Sequence, residues 1–131
     1  MMNVVMQETP KAKDLFLEKI AQSTDGLKFA CIINKNGRVL TSFNECCLLL
    51  NNKKKEMLFM ETALQANMSK DFDKDLGNVH CNVTERDDGL KYVSAPLSSK
   101  NIVFAVMDKK KDHNTFVKNT VNAKTTLSDI N

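Results

Sequence analysis

The sequence predicts an α+β domain with one five-stranded antiparallel sheet in the order 2-1-5-4-3 and helices on its faces. Three observations carry this prediction. Hydrophobic residues recur with helical and strand periods in the order α-β-β-α-β-β-β-α. Short turns at Asn36-Gly37 and Asp88-Gly89 join consecutive strand periods into hairpins. Two of the predicted strands are apolar on both faces, as expected of strands inside a sheet.

The first helix and the first hairpin account for the N-terminal third of the chain. Thr9 is the expected N-cap of the helix, Pro10 fits its first turn, and Gly26 follows its end. The next strand, residues 27–33, is apolar on nearly both faces, so we expect it inside the sheet. The returning strand, residues 38–43, is more polar and is expected at an edge.

A long helix is predicted in the middle of the chain, after a connection that is hard to assign. Residues 44–50 contain the apolar run Cys46–Leu50, which is too short for its period to be read. We expect this run to form a buried connection beneath the helix. The helix itself should extend from about Asn52 to Asp75, with Gly77 as its C-terminal cap.

Three strands and a last helix complete the domain. Residues 79–84 alternate between apolar and polar, which is typical of an edge strand, and residues 90–97 form the next strand. Residues 102–107 are apolar on both faces and give the second central strand. Either Asp112 or Asn114 can cap the final helix. Because the two apolar strands should be neighbours, the hairpin and the final meander place the strands in the order 2-1-5-4-3.

Length and composition indicate one soluble domain. The 131 residues suit a single core, and 42% hydrophobic with 27% charged residues is ordinary for a globular domain. No apolar stretch approaches the roughly 20 residues of a membrane span, and residues 1–7 lack the features of a signal peptide. We expect an N-terminal extension over 1–9, the domain over 10–125 and a frayed tail over 126–131.

The cysteines indicate the cellular compartment of the protein, and the basic residues indicate which partners it can bind. Four cysteines at positions 31, 46, 47 and 81 show no Cys-x-x-Cys spacing, so we expect reduced, mostly buried thiols in a cytoplasmic protein. The net charge is +3, the single tyrosine is Tyr92, and tryptophan is absent. A mild lysine excess without aromatic residues interleaved among the lysines argues against nucleic acid as a partner.

No catalytic, metal or cofactor site is predicted. The only histidines, His80 and His113, have no cysteine or carboxylate at a metal-binding helical spacing. A calcium loop starting at Asp71 would need glycine and glutamate where Leu76 and Asn82 stand. The four glycines all fall in predicted turns or caps, so no phosphate-binding loop remains. We therefore expect a protein that is not an enzyme and has no cofactor.

The long helix is the best candidate for a functional surface. Met57, Met60, Leu64 and Met68 form one apolar stripe, and a second apolar face contains Phe59. A helix with two apolar faces is expected to bury both, one against the sheet and one against another segment or subunit. The predicted interface with a second subunit comprises Met57, Met60, Ala63, Leu64, Asn67, Met68, Val79, His80, Cys81 and Asn82.

Two lysine runs form a candidate anion-binding patch. In the predicted order, the second and fifth strands point the same way, so the lysines that follow them should lie at one end of the sheet. That patch would attract an acidic partner, a phosphate or nucleic acid, although solvated charge is the simpler interpretation. The residues concerned are Lys53, Lys54, Lys55, Lys109, Lys110 and Lys111.

The opening hairpin resembles that of the roadblock/dynein-light-chain family, which is related to the longin and profilin-like folds. The stretch from Leu27 to Leu40, LKFACIINKNGRVL, is similar to the family's apolar strand, glycine-containing turn and second strand. The resemblance covers about residues 10–125. Further similarity to roadblock-like proteins of ammonia-oxidising archaea lies in Lys55–Met60, Gly77, Glu85-Arg86 and Ser94–Leu97.

This resemblance implies a homodimer built from the long helix and the third strand. It also implies a scaffold without catalytic residues, often one that serves small Ras-like GTPases. The run Cys46–Leu50 departs from the family pattern. A different class of function, a PAS-like sensor that holds a small ligand between sheet and helix, shares the same strand order. Bulky residues at the expected ligand position argue against a large cavity: Phe29, Phe43, Phe59 and Phe104.

Overall fold

The computed structural model describes the backbone of residues 2–130 and the side chains of residues 12–45 and 47–122. This part of the chain contains four helices and five strands. They are α1 Met2–Ser23, β1 Leu27–Asn34, β2 Val39–Phe43, α2 Asn52–Ser69, α3 Asp73–Leu76, β3 Asn82–Glu85, β4 Leu90–Pro96, β5 Asn101–Asp108 and α4 His113–Ile130. Single 3-10 turns at Glu45–Cys47 and Lys70–Phe72 precede α2 and separate it from α3. Within this part of the chain, no helix is both long enough and apolar enough to cross a membrane.

The five strands form one antiparallel sheet in the order β2-β1-β5-β4-β3, which confirms the predicted fold class and strand order. The central pair, β1 and β5, is in register from Phe29 opposite Val106 to Asn34 opposite Asn101. Burial on both faces explains why these two strands have almost no polar residues in their interiors. The hairpin turns at Asn36-Gly37 and Asp88-Gly89 lie where the sequence predicted them.

The two faces of the sheet carry separate cores. Helices α1 and α4 cover one face, and α2 covers the other, so the central strands contribute alternate residues to each layer. The first core contains Phe16, Leu17, Ile20, Ala30, Ile32, Val93, Ala95, Leu97, Val103, Ala105, Met107 and Phe116. The second contains Phe29, Cys31, Ile33, Leu48, Phe59, Ala63, Ile102, Phe104 and Val106.

Three aromatic rings fill the space between α2 and the sheet. The ring centroids of Phe29 and Phe59 are 6.3 Å apart, those of Phe29 and Phe104 are also 6.3 Å apart, and those of Phe59 and Phe104 are 5.7 Å apart. Such pairs stabilise a core by about 0.5–1.5 kcal/mol each beyond their buried area. These rings occupy the layer in which a PAS-like sensor would need room for its ligand.

Two helices extend differently from the prediction. Helix α1 begins at Met2, so the prediction that it starts at Thr9 and Pro10 was wrong. A proline inside a helix forgoes one backbone hydrogen bond, but no other helix-breaking residue precedes it here. Helix α4 begins as expected after Asp112, whose carboxylate accepts a hydrogen bond from the N–H of Asn114, and it extends to Ile130, past the tail expected from residue 126.

The long central helix starts at Asn52, as predicted, but is interrupted before its predicted end. The regular α-helix stops at Ser69, whose hydroxyl donates to the carbonyl oxygen of Ala66 over 2.9 Å. A side chain that bonds its own backbone competes with the helical pattern. A 3-10 turn follows, and the short α3 then ends at Gly77, which has the positive φ of 84° expected of a glycine cap.

Strand β3 starts three residues later than the alternation of apolar and polar residues predicted. It begins at Asn82, which pairs with Ser94, so residues 79–81 have no place in the ladder. Continuing the pairing would set His80 opposite Pro96, which has no N–H to donate. The ladder therefore ends where the neighbouring strand reaches its proline.

The prediction that Cys46–Leu50 is a buried connection was wrong for most of its length. Leu48 is buried in the core beneath α2, but Cys47, Leu49 and Leu50 are exposed. The 3-10 turn ends at Cys47, and among the described side chains of this run Leu48 is the apolar one that reaches the core. The side chain of Cys46 lies outside the described residues.

Candidate interaction surface

Helix α2 is fixed at its start by a side-chain cap. The amide oxygen of Asn51 accepts a hydrogen bond of 2.8 Å from the backbone N–H of Lys54. This satisfies one of the N–H groups that a helix leaves without a partner in its first turn. The cap therefore stabilises the first turn of α2.

One face of α2 is packed against the sheet. Phe59, Thr62 and Ala63 are buried there, and the hydroxyl of Thr62 donates to the carbonyl oxygen of Leu58 over 2.9 Å. The turn between β1 and β2 meets the same helix, because the amide of Asn67 donates to the carbonyl oxygen of Lys35. This packing confirms that one of the two predicted apolar faces belongs to the core.

The other apolar face is open to solvent. Four side chains on it are between 53% and 60% exposed: Met57, Met60, Leu64 and Met68. They recur in steps of three and four residues on the side of the helix opposite Phe59 and Ala63. A row of large apolar side chains that stays exposed on a folded chain is typical of a protein–protein contact. We call these four residues the α2 stripe.

The exposed apolar row continues beyond the regular helix. Phe72 is 58% exposed and Leu76 is 81% exposed. They follow Met68 in steps of four residues, so they extend the α2 stripe towards Gly77. The sequence analysis did not nominate them. Their spacing from Met68 was a usable signal, but they fall at the end of the predicted helix, where apolar residues are harder to assign to a face.

The two edges of the sheet differ in how they are protected. Strand β2 carries a bulge, since Ile32 pairs with Thr41 and Ile33 with Val39, and Thr41 donates a hydrogen bond to Asp14 of α1. Bulges and covering helices discourage pairing with another chain. Strand β3 pairs regularly with β4 from Asn82 onwards, and no described strand pairs with its outer edge. The β3 edge is therefore the better candidate for pairing between chains.

Not every residue of the predicted interface lies on this surface. Ala63 is 1% exposed against the sheet, so its assignment to the interface was wrong. Cys81 is half-buried against the core beneath α1 and α4. Of the other members, His80 is exposed, while Asn67, Val79 and Asn82 are half-buried beside the cleft described next. Their role in an interface stays a prediction.

A cleft of about 570 Å³ opens where the pairing of β3 with β4 ends. Lys35, Lys70 and Lys100 line it together with Asp73, and the ammonium of Lys70 donates to the carbonyl oxygen of Ser99 over 3.2 Å. The cleft lies at the end of the sheet, where Ala66 of α2 and Ile102 of β5 also line it. The layer between sheet and helix in which a PAS-like sensor would hold its ligand is filled by aromatic rings.

The prediction that both lysine runs lie at one end of the sheet was wrong. Lys55 lines a cleft with the turn between β1 and β2, at the carboxyl end of β1. Lys111 pairs with Asp25 over 3.0 Å, at the amino end of β1. The strand order is as predicted, so the difference lies in the connection: the eight residues between β2 and α2 can span about 26 Å and return along the sheet.

The described residues hold no metal-binding cluster. Among them, no group of three or more His, Cys, Asp or Glu side chains is placed to hold a metal ion. Cys31 is buried, and its burial raises the pKa of the thiol above its ordinary value, so the reactive thiolate is disfavoured. Cys31, Cys47 and Cys81 are free cysteines. The exposed position of Cys47 contradicts the expectation of a buried thiol there.

The fold is that of the roadblock/LC7 class. A roadblock/LC7 domain from Streptomyces avermitilis matches with a TM-score of 0.70 and 11% sequence identity, over 88% of this chain and 94% of that one. The gliding protein MglB from Thermus thermophilus matches with a TM-score of 0.71 and 15% identity, over 93% and 90%. A structure of MglB with tetrameric arrangement matches with a TM-score of 0.72 and 14% identity, over 93% and 89%.

These likenesses confirm the resemblance at the level of the fold. No protein-family model matches the sequence, and no curated protein matches it.

Proposed function

We propose that this protein is a non-enzymatic interaction module that forms a homodimer in the cytoplasm. The exposed α2 stripe carries this proposal. Met60, Leu64 and Met68 are each about 60% exposed on a rigid helix that is anchored to the sheet on its other side. Burying such a side chain completely contributes about 1.5–3 kcal/mol, so a row of them favours a stable contact.

The regular edge of β3 supports the same proposal. It lies beside α2, since Glu61 and Gln65 of the helix line a small cleft together with Asn82 and Thr84 of the strand. A second copy that contacts this side of the molecule can use both the helix and the strand. A closed two-fold dimer would bury the same patch on both copies and cover the β3 edge of each.

A solved structure of the same fold supports self-assembly, because it contains MglB in a tetrameric arrangement. The resemblance of the opening hairpin to the roadblock family implies a scaffold for a small Ras-like GTPase, and we include that partner in the proposal. Methionines suit such a role, because their flexible side chains adapt to different partner surfaces.

The homodimer is tested by measuring molar mass in solution with light scattering at micromolar concentration. We expect a dimer for the wild-type chain and a monomer for Met60→Lys, because a charge placed in a dry contact costs several kcal/mol. Leu15→Lys is the matched control: Leu15 is 57% exposed on α1, on the other face of the sheet, and its replacement should leave the dimer intact. A monomeric wild-type chain would refute the homodimer.

The GTPase partner needs a separate test. A small Ras-like GTPase from the source organism, loaded with GDP or with a GTP analogue, is titrated with the wild-type chain while fluorescence anisotropy is recorded. We expect saturable binding to one nucleotide state. The absence of binding in both states would remove the GTPase from the proposal and leave the homodimer standing.

A further inference from the structure

The cleft at the end of the sheet collects lysines from three separate segments of the chain. Lys35 follows β1, Lys70 follows α2 and Lys100 precedes β5. The strand register brings two of them together: Asn34 pairs with Asn101, so continuing that pairing sets Lys35 opposite Lys100. Like charges that face each other in this way are destabilising. The fold therefore gathers positive charge at a place where it repels itself. We call these three residues the cleft lysines.

The positive charge of the cleft is not neutralised within the described part of the chain. All three cleft lysines are exposed, and none of them forms a salt bridge with a described carboxylate. Asp73 adds one carboxylate to the lining. Three ammonium groups and one carboxylate leave an excess of positive charge on the walls of a concave surface. Such a surface attracts anions.

Side-chain hydrogen bonds hold the walls of the cleft together. The amide of Asn67 in α2 donates to the carbonyl oxygen of Lys35 over 3.1 Å, and the ammonium of Lys70 donates to that of Ser99 over 3.2 Å. The turn between β4 and β5 is braced by the hydroxyl of Ser98, which accepts two N–H groups of that turn over 3.2 and 3.3 Å. An ammonium has three donors, so Lys70 can still bind an anion. Walls that are fixed in advance lower the entropic cost of binding.

Apolar side chains line the cleft beside the lysines. Ala66 of α2 and Val79 are half-buried there, and Ala95 of β4 and Ile102 of β5 are buried. The volume of about 570 Å³ is within the range of about 300–1,000 Å³ that is typical of small-molecule sites. Such sites combine an apolar lining with a few charged or polar groups that orient the ligand. The lining therefore fits a molecule with an apolar body and an anionic group.

We infer that this cleft binds a small amphipathic anion, with its phosphate or carboxylate group at the cleft lysines and its apolar body at the apolar lining. Both anionic groups present charged oxygen atoms, which accept short hydrogen bonds from ammonium groups. Every residue of the site comes from one chain. The inference therefore goes beyond the proposed homodimer and does not rest on it.

Titration calorimetry with phenyl phosphate tests the inference, because this probe joins an apolar ring to a phosphate. We expect saturable binding to the wild-type chain with a Kd on the order of 1 mM or lower. Inorganic phosphate and phenol each contain one half of the probe and should bind at least about tenfold more weakly. Phenylacetate then distinguishes the anionic groups: comparable binding supports recognition of charge alone, and weaker binding supports a phosphate. If neither phenyl phosphate nor phenylacetate binds saturably, the inference is wrong.

Removing the positive charge should weaken the binding of phenyl phosphate. Lys35→Gln/Lys70→Gln/Lys100→Gln keeps polar side chains of similar length, and we expect it to raise the Kd roughly tenfold or more. For the wild-type chain the Kd should also rise with sodium chloride, because salt screens the attraction between exposed charges. Binding that depends neither on the cleft lysines nor on salt would overturn the inference.

A matched control removes the same amount of charge elsewhere. Lys19→Gln/Lys28→Gln/Lys110→Gln replaces three exposed lysines that do not line the cleft, and it should leave the Kd within about twofold of wild type. Equal weakening in the two triple variants would show that the probe responds to net charge and not to a site in the cleft. That outcome would also overturn the inference.

Proton NMR locates the bound probe. The chain has two histidines, of which His80 lines the cleft and His113 begins α4. The ring-proton signal of His80, assigned with His80→Gln, should shift during the titration, while that of His113 should not. Met60→Lys should retain binding, because it changes the α2 stripe and not the cleft. Loss of binding in Met60→Lys, or an unshifted His80 signal, would place the probe outside the cleft and overturn the inference, whatever the oligomeric state of the wild-type chain.

Discussion

Gly37 lies against the backbone of Met60. A Cβ atom on Gly37 would be 2.7 Å from Cα and 2.8 Å from the amide nitrogen of Met60, so only glycine allows the turn between β1 and β2 to meet α2 this closely. The contact joins the hairpin to the middle of the helix that carries the α2 stripe. The turn between β1 and β2 and the middle of α2 are therefore held close together.

Replacement of Gly37 by alanine should therefore be strongly destabilising. Gly37 has a φ of +84°, and so does Gly89, but a Cβ on Gly89 would have nothing within 4 Å. We expect Gly89→Ala to cost about 1 kcal/mol for its backbone strain alone. Gly37→Ala should cost about 3 kcal/mol, because the clash with the helix backbone adds to the same strain.

The measurement is urea unfolding of both variants at one protein concentration, since a dimer's stability depends on concentration. Equal losses for the two glycines would show that the approach of the turn to Met60 is looser than the structure indicates. A weaker dimer in Gly37→Ala at equal helix content would show that the turn also positions the stripe.

The strand order could be predicted because it depends on a pattern that the sequence displays directly. Strands buried on both faces must be apolar throughout, so the sequence alone was enough to recognise residues 27–33 and 102–107 as the central pair. The limits of β3 could not be read in the same way. They depend on Pro96, which is distant along the chain and lies in the neighbouring strand only after the sheet has formed. Local periodicity contains no information about that neighbour.

The sequence also predicted that α2 has two apolar faces, and the predicted interface placed the face with the α2 stripe away from the sheet. Both faces contain large apolar residues at helical spacing, and the choice follows from the tight packing of Phe59 with Phe29 and Phe104. The path from β2 to α2 was unpredictable for another reason: a short irregular segment can reach either end of the sheet.

Tyr92 should titrate with a raised pKa that is directly observable. Partial burial and the hydrogen bond that its hydroxyl donates to Asp88 over 2.7 Å raise the pKa of Tyr92 to about 12. It is the only tyrosine, and tryptophan is absent, so phenolate absorbance reports this residue alone. Asp88→Asn should lower the pKa of Tyr92 but leave it above the usual value of about 10, because burial remains. Asp87→Asn, at the neighbouring exposed carboxylate, is the control.

The same contact contributes stability within a defined range of pH. The hydrogen bond from Tyr92, followed by that from the N–H of Leu90, lowers the pKa of Asp88 in the folded chain. The contribution of Asp88 is therefore present above its unfolded pKa and lost as the pH falls. The raised pKa of Tyr92 acts in the opposite sense, so its contribution is lost as the pH rises from about 10 towards about 12. An unchanged titration of Tyr92 in Asp88→Asn would contradict both statements.

The folded protein should tolerate the buried ammonium of Lys91 because His113 accepts a hydrogen bond from it. Lys91 is 5% exposed on β4, and its ammonium lies 3.0 Å from Nδ1 of His113 at the start of α4. An ammonium only donates, so this nitrogen of His113 must accept. His113→Leu should lower the free energy of unfolding by about 1–3 kcal/mol, since it leaves a buried donor without its partner.

Two comparisons isolate this effect in chemical unfolding. His80→Leu replaces an exposed histidine and should be nearly neutral. Lys91→Met removes the charge and keeps most of the volume, so His113→Leu should cost much less in the Lys91→Met background. Equal effects of the two histidine replacements, or additivity of Lys91→Met with His113→Leu, would show that the hydrogen bond contributes nothing.

The cysteines should differ in reactivity according to their positions. Cys31 is buried and its thiol has a raised pKa, Cys81 is half-buried, and Cys47 is exposed. In a Cys46→Ser background, an aromatic disulfide reagent should modify Cys47 first in the native protein and Cys31 only on unfolding. Cys47→Ser in the same background should remove the fast phase and leave the others unchanged. The denatured wild-type chain should yield all four thiols of the sequence, and a lower count would reveal a disulfide.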